Sequence, residues 1–110
     1  MRASDVDHTL KALREGGYKV SVRHTRRYIT GGGMEYHLGN RERLMMKQDG
    51  VTYTPHEFGG MTRVSVRDTD GTEYEGIAVC SKRDQFVQRN GTAIALGRCV
   101  KALHAVGWRV

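Results

Sequence analysis

Residues 76–106 read GIAVCSKRDQFVQRNGTAIALGRCVKALHAV, and a change of period inside this stretch decides the fold. Gly76 to Cys80 is short and strand-like, whereas from Ser81 onward the apolar residues recur at helical spacing. Ser81 is of a type that caps helices, which predicts a short helix over Lys82 to Val87 anchored by Phe86. Asn90-Gly91 interrupts the pattern, and Thr92 is placed to cap a longer second helix. Leu96, Cys99, Val100, Leu103 and Val106 form the apolar stripe of that helix, while Ala93, Ala95, Gly97, Ala102 and Ala105 keep it slim enough to pack on a sheet. Gly107 ends it, and Trp108 is expected to fold back as a hydrophobic plug. Lys82 and Arg83 would then stand in the first turn of a helix, where the dipole is already positive and an added cation costs about 0.3–1 kcal/mol. A bound phosphate would offset that cost; solvated surface cations are the plainer alternative.

Upstream, the pattern is that of an antiparallel sheet entered from a helix. Ser4 as N-cap, Asp7 three residues on, and Val6, Leu10 and Leu13 on one stripe predict a helix over Ser4 to Glu15, stopped by Gly16 and Gly17. From Tyr18 to Tyr28, Tyr18, Val20, Val22, His24 and Tyr28 share one parity, and Lys19, Ser21, Arg23, Thr25 and Arg27 share the other. This predicts a strand with one apolar and one basic face. Met61 to Asp68 repeats the arrangement, with Val64 and Val66 opposed to Arg63, Ser65 and Arg67. Asp70-Gly71 is a two-residue hairpin signal that pairs this strand with Glu73 to Cys80.

Thr30 to Gly60 is the least patterned part and is expected to be a mobile or irregular insertion. Gly31 to Gly33 lack the context of a nucleotide-binding fingerprint or phosphate loop. Met34 to Leu38 extends as a strand, and Arg43 to Gln48, Asp49-Gly50 and Val51 to Thr54 fit a hairpin. Met45, Met46 and Phe58 are assigned to the core.

A chain of 110 residues with 38% hydrophobic residues suits one α+β domain, residues 1–110. The expected architecture is an antiparallel sheet of three to five strands, with an N-terminal helix and a C-terminal helical segment packed on one face. No apolar run approaches a transmembrane length, and the polar N-terminus lacks a secretion signal, so cytoplasmic residence and no membrane partner are expected. Cys80 and Cys99 are too few for a disulfide framework. The five histidines are scattered, with no nucleophile pair, metal-ligand spacing or cofactor motif, so a non-enzymatic protein without metal or cofactor is expected.

A net charge of +6 and a pI near 9.7 favour an anionic partner. Two surfaces are candidates for nucleic acid of unspecified type. One combines Lys82, Arg83 and Arg89 with exposed positions of the first helix, Lys11 among them, for phosphate contacts. The other is the open sheet face, where Lys19, Arg23, Arg27, Arg63 and Arg67 form a basic patch with Tyr74 as a stacking platform.

The order strand, Asp-Gly turn, strand, Ser81-Lys82-Arg83 and alanine-rich helix over Thr62 to Leu103 resembles the double-stranded RNA-binding domain, and with the first helix the chain is similar to its αβββα layout. That resemblance implies a cation cluster at the start of the last helix gripping phosphates, at Ser81, Lys82 and Arg83, and a first-helix surface at His8 and Lys11 reaching a minor groove. The chain also resembles small accessory proteins of phages and mobile elements. That likeness implies the rival function of an inhibitor or adaptor binding a host protein or nucleoprotein complex, with Tyr36, Met45, Met46 and Trp108 as candidate anchors.

Overall fold

In a computed structural model, which describes residues 1–56 and 58–108, the chain begins with a 3-10 turn, Ala3–Asp5, that runs into helix α1, Val6–Glu15. Ser4 lies within that turn, and Asp5 holds the N-cap position without a side-chain hydrogen bond. Val6, Thr9 and Leu13 are buried. Gly17, at φ +88°, reverses the chain, and the Tyr18 amide donates to the Leu13 carbonyl over 3.0 Å.

Strand β1, Lys19–Thr30, is the spine of a five-stranded antiparallel sheet. Over Lys19 to Thr25 it pairs with β4, Phe58–Arg67, which pairs in turn with β5, Glu73–Gln85. The turn between β4 and β5 centres on Asp70-Gly71, where the Asp70 carboxylate accepts from the Thr72 amide. Helix α3, Gln88–Ala105, lies across this part of the sheet on the same side as α1. Their shared core holds Val6 and Leu13, Val64 and Val66, Ala78, and Ala93, Ala95, Leu96, Cys99, Val100 and Leu103. Close approach requires Gly76: a Cβ there would sit on the Ala95 carbonyl oxygen and 2.6 Å from the Cys99 amide nitrogen. Trp108 packs against the core and meets Tyr18 edge to face, ring centres 6.4 Å apart. Val106, assigned to the apolar stripe, is 63% exposed because the helix ends at Ala105.

The stretch expected to be irregular is built of regular elements. Gly31 to Gly33 form the tight turn between β1 and β2, Glu35–Leu38, closed by the Thr30 amide donating to the Met34 carbonyl over 2.9 Å. Residues assigned to a hairpin strand form helix α2, Asn40–Gln48, followed by β3, Tyr53–Pro55. β2 lies on one edge of β1 at Arg26 to Ile29; β3 lies on the opposite edge at Tyr28 to Thr30, the edge that β4 occupies further back. α2 buries none of its residues, and Met45 is 59% exposed. Met46 is half-buried and Phe58 exposed, so none of the three fills the core.

The C-terminal region departs from expectation at one point with large consequences. Ser81 caps no helix: β5 continues through Lys82 and Arg83 to Gln85, and α3 starts at Gln88 with Asn90-Gly91 inside its first turns. The Ser81 hydroxyl accepts instead from the Arg83 amide, 3.2 Å, a local bond that such residues offer outside helices as readily as at caps. Thr92 donates back to the Gln88 carbonyl over 2.9 Å. Gly91 is tolerated so early in the helix because Thr62 of β4 occupies the space a Cβ would need. Phe86 is buried as expected, but as the link between β5 and α3.

Candidate nucleic-acid interface

The two proposed surfaces fare differently. Lys82 and Arg83 are exposed on the overhanging end of β5, and Arg89 is exposed in the first turn of α3. A nearby cleft of about 290 Å³ includes none of the three in its lining. Lys11 is exposed and ion-paired with Glu15, 3.9 Å. The helix-start phosphate grip is therefore replaced by separate cations on a strand end and a helix.

On the open sheet face, the register aligns Lys19, Arg67 and Glu73 in one row and Arg23, Arg63 and Ile77 in another. Arg67 lies 4.0 Å from Glu73, and Arg63 lies 3.3 Å from Glu75. The acids of β5 thus neutralise part of the patch, and Arg23 and Lys19 gain weight as its cations without an ion pair among the described residues. Tyr74 pairs with Val66 and packs against the core, so it offers no stacking platform.

Arg27 leaves the patch altogether. It is 8% exposed, paired with Glu35 of β2, and donates through Nη1 to the Phe58 carbonyl over 3.0 Å. Alternation fails here because the edge of β1 between β4 and β3 is interrupted. A Cβ on Gly59, at φ +79°, would lie 2.7 Å from Arg27 Cδ, and one on Gly60, at φ +145°, would lie 2.5 Å from the Phe86 ring. Arg27 and Phe86 fill the space those glycines vacate. The hydrogen bond from Arg27 holds the Glu35 carboxyl below its usual range and raises the Arg27 guanidinium.

What the fold does bring together is a cavity of about 690 Å³ beside β1, at the edge that β2 leaves free. Arg23, Arg26, Arg41, Arg43 and Arg63 all line it, with Glu42 as the one carboxylate-bearing residue among the described residues that do. Residues of both sheet faces reach it because β2 covers β1 only from Arg26 onward, and the chain turns at Gly39 into α2 against the exposed edge. A Cβ on Gly39 would lie 3.7 Å from the His24 carbonyl oxygen. Two cations are held by aromatic rings: the Arg26 guanidinium lies 5.8 Å from the Phe86 ring centre, and that of Arg43 lies 5.8 Å from the Tyr28 ring centre. Arg43 also hydrogen-bonds Asn40. The Arg26 Nε is buried without a hydrogen-bond partner among the described residues, which costs about 1–3 kcal/mol. Both α2 and α3 begin at this cavity, through Gly39 and Gln88, with no side-chain cap on either helix.

His24 also lines the cavity, but as a structural group. One ring nitrogen pairs with the buried Thr62 hydroxyl at 2.9 Å, the ring meets Phe86 edge to face at 6.0 Å, and burial lowers its pKa, favouring the neutral imidazole.

Of the nine cations nominated from sequence, Arg23 and Arg63 belong to this cavity; Arg26, Arg41 and Arg43 were missed. Arg26 falls on the apolar parity of β1, which hid it. Arg41 and Arg43 lie in the segment assigned to an insertion, although the run from Asn40 to Gln48 has no glycine or proline and is rich in strong helix formers. No known protein family, curated protein or solved structure matches this chain.

Proposed function

We propose that the protein is a non-enzymatic nucleic-acid-binding module that engages the sugar-phosphate backbone through the cavity at the free edge of β1. The observation that carries this reading is the lining of one cavity by five arginines, of which Arg63 is ion-paired with Glu75, with Glu42 the one carboxylate-bearing residue among the described lining residues. Guanidinium forks match phosphate oxygens two at a time, and their attraction is strengthened in a concave site partly shielded from water. Arg23 and Arg63 extend the positive surface onto the open sheet face. Lys19 and Arg67 stand one end further along. Lys82, Arg83 and Arg89 contribute to the general field rather than to a grip.

No helix among the described residues is long and apolar enough to cross a membrane. Both cysteines are free, and the Cys99 thiol is pushed up to about 11, chiefly by burial and further by Glu75, which makes it an inert core residue. These thiols fit residence in a reducing compartment such as the cytoplasm.

Titration against labelled duplex RNA, duplex DNA and single strands at two salt concentrations tests the proposal. Binding is expected to weaken steeply with salt, the logarithm of affinity falling by roughly 0.7–0.9 per phosphate contact against the logarithm of salt. Arg23→Glu with Arg41→Glu is expected to weaken it about tenfold or more, and Lys82→Glu with Arg83→Glu by less. Absence of salt-sensitive binding to every probe would reject the proposal.

One observation favours the rival, protein-binding reading. Met34, Leu44 and Met45 are 60%, 63% and 59% exposed on the arm formed by β2 and α2. An inhibitor or adaptor would use those side chains as anchors, whereas Trp108 is packed away. Binding to a protein or nucleoprotein complex that is lost in Leu44→Ser/Met45→Ser and insensitive to salt would support that reading instead.

A further inference from the structure

We infer that the arginine cavity seats a phosphate monoester, the terminal phosphate of a nucleic-acid strand. The inference rests on the nucleic-acid reading above and narrows it from backbone contact to strand ends.

The arrangement of the cations distinguishes an end from a passing strand. A strand that runs through a site presents one phosphodiester per nucleotide and is met by cations spread along a track. Here the cations are gathered around one space of about 690 Å³, within the size range of small-ligand pockets. A phosphodiester carries one negative charge and two free oxygens. A monoester carries about −1.5 to −2 at pH 7 and three acceptor oxygens, so it can engage several guanidinium forks at once.

Two further features suit a compact, doubly charged group. The Arg26 guanidinium lines the space and is held over the Phe86 ring, which fixes a cation beside the anion. The uncapped starts of α2 and α3 border the same space, and the N–H groups of a first helical turn favour phosphate. Glu42 opposes the anion; its Oε2 would lie 2.9 Å from a Cβ on Gly39, so it stands at the start of α2. Removing its charge is therefore expected to tighten binding.

The experiment compares one short single-stranded oligonucleotide, in RNA and in DNA, carrying a 5′-phosphate, a 3′-phosphate or no terminal phosphate, by fluorescence anisotropy at fixed salt. One phosphorylated form is expected to bind about tenfold or more tightly than the unphosphorylated strand, the worth of one or more charge-assisted hydrogen bonds. That advantage should disappear in Arg26→Gln and in Arg23→Ala, grow in Glu42→Gln, and be competed away by inorganic phosphate. Arg23 is an exposed strand residue, so its variant gives an answer even where Arg26→Gln fails to fold. Equal affinity for all three forms overturns the inference and leaves backbone binding standing; no binding of any form overturns both. A free nucleoside monophosphate that binds as tightly as the phosphorylated strand also overturns it, by assigning the cavity to a small molecule.

Discussion

The two ends of β1 belong to regions built on different physics. From Lys19 to Thr25 the strand lies in a sheet covered by α1 and α3, and its apolar side chains join one continuous core. From Arg26 to Thr30 it carries β2 and β3 in an arm whose buried residues include Arg27 and Tyr28, and whose helix α2 buries nothing. The covered end is held by apolar burial, which is non-directional and cooperative. The arm is held by strand pairing, the Arg27–Glu35 ion pair and the contacts of Arg43 and Tyr53 with the Tyr28 ring, which are directional and local. The arginine cavity lies where the two regimes meet, on rigid sheet on one side and the lightly anchored start of α2 on the other.

This contrast is broken most severely at Gly76. Gly76→Ala drives a methyl group into the α3 backbone and is expected to destabilise by about 3 kcal/mol or more, read as a lowered urea midpoint or failure to fold. Leu96→Ala, at a position with no exposed surface, should cost about 2–5 kcal/mol in the same measurement. Either result falling within about 0.5 kcal/mol of wild type would mean that α3 does not seal the core.

Arg27→Ala sharpens the comparison, because its loss should be confined to the arm. Amides of Glu35 to Leu38 are expected to lose hydrogen-exchange protection while those of Val64 to Val66 keep theirs. Uniform loss across both segments would show that core and arm open as one unit.

The pH dependence is smaller, and its sign follows from His24. Burial sets the folded pKa below the unfolded value of about 6.5, so the unfolded chain binds more protons in the window between the two. Stability is therefore full above pH 6.5 and declines as pH falls from there toward the folded value. His24→Gln should flatten this slope in urea titrations between neutral and mildly acid pH; an unchanged slope would remove His24 as its source. The smallest effect is expected on the arm's exposed face: Leu44→Ser/Met45→Ser should move stability by no more than about 0.5 kcal/mol per site. A larger loss would mean that α2 is packed in solution.

Legibility in the sequence followed the same division. The alternation of Val20 and Val22, of Val64 and Val66, and the Asp70-Gly71 turn are each short-range signals, and each corresponds to the element it predicts. Ser81-Lys82-Arg83 misled because a serine can cap a helix or bond locally within an extended chain, and pairing of Gln85 with Phe58 across the sheet accompanies the second outcome. The basic parity of β1 was legible, but the burial of Arg27 was not, since it depends on Gly59, over thirty residues away, leaving room for its side chain.

Sequence alone thus determined the α+β class, the antiparallel core strands, the first helix, the later part of the last one and the excess of cations, because periodicity and turn chemistry act over a few residues. Tertiary structure alone decided which cations share a site. Arg23, Arg26, Arg41, Arg43 and Arg63 meet only because β2 stops at Leu38, exposes the edge of β1 and sends the chain into α2 against it. That outcome is fixed by strand register and by where one strand ends, and neither quantity is encoded in the local pattern around any one arginine.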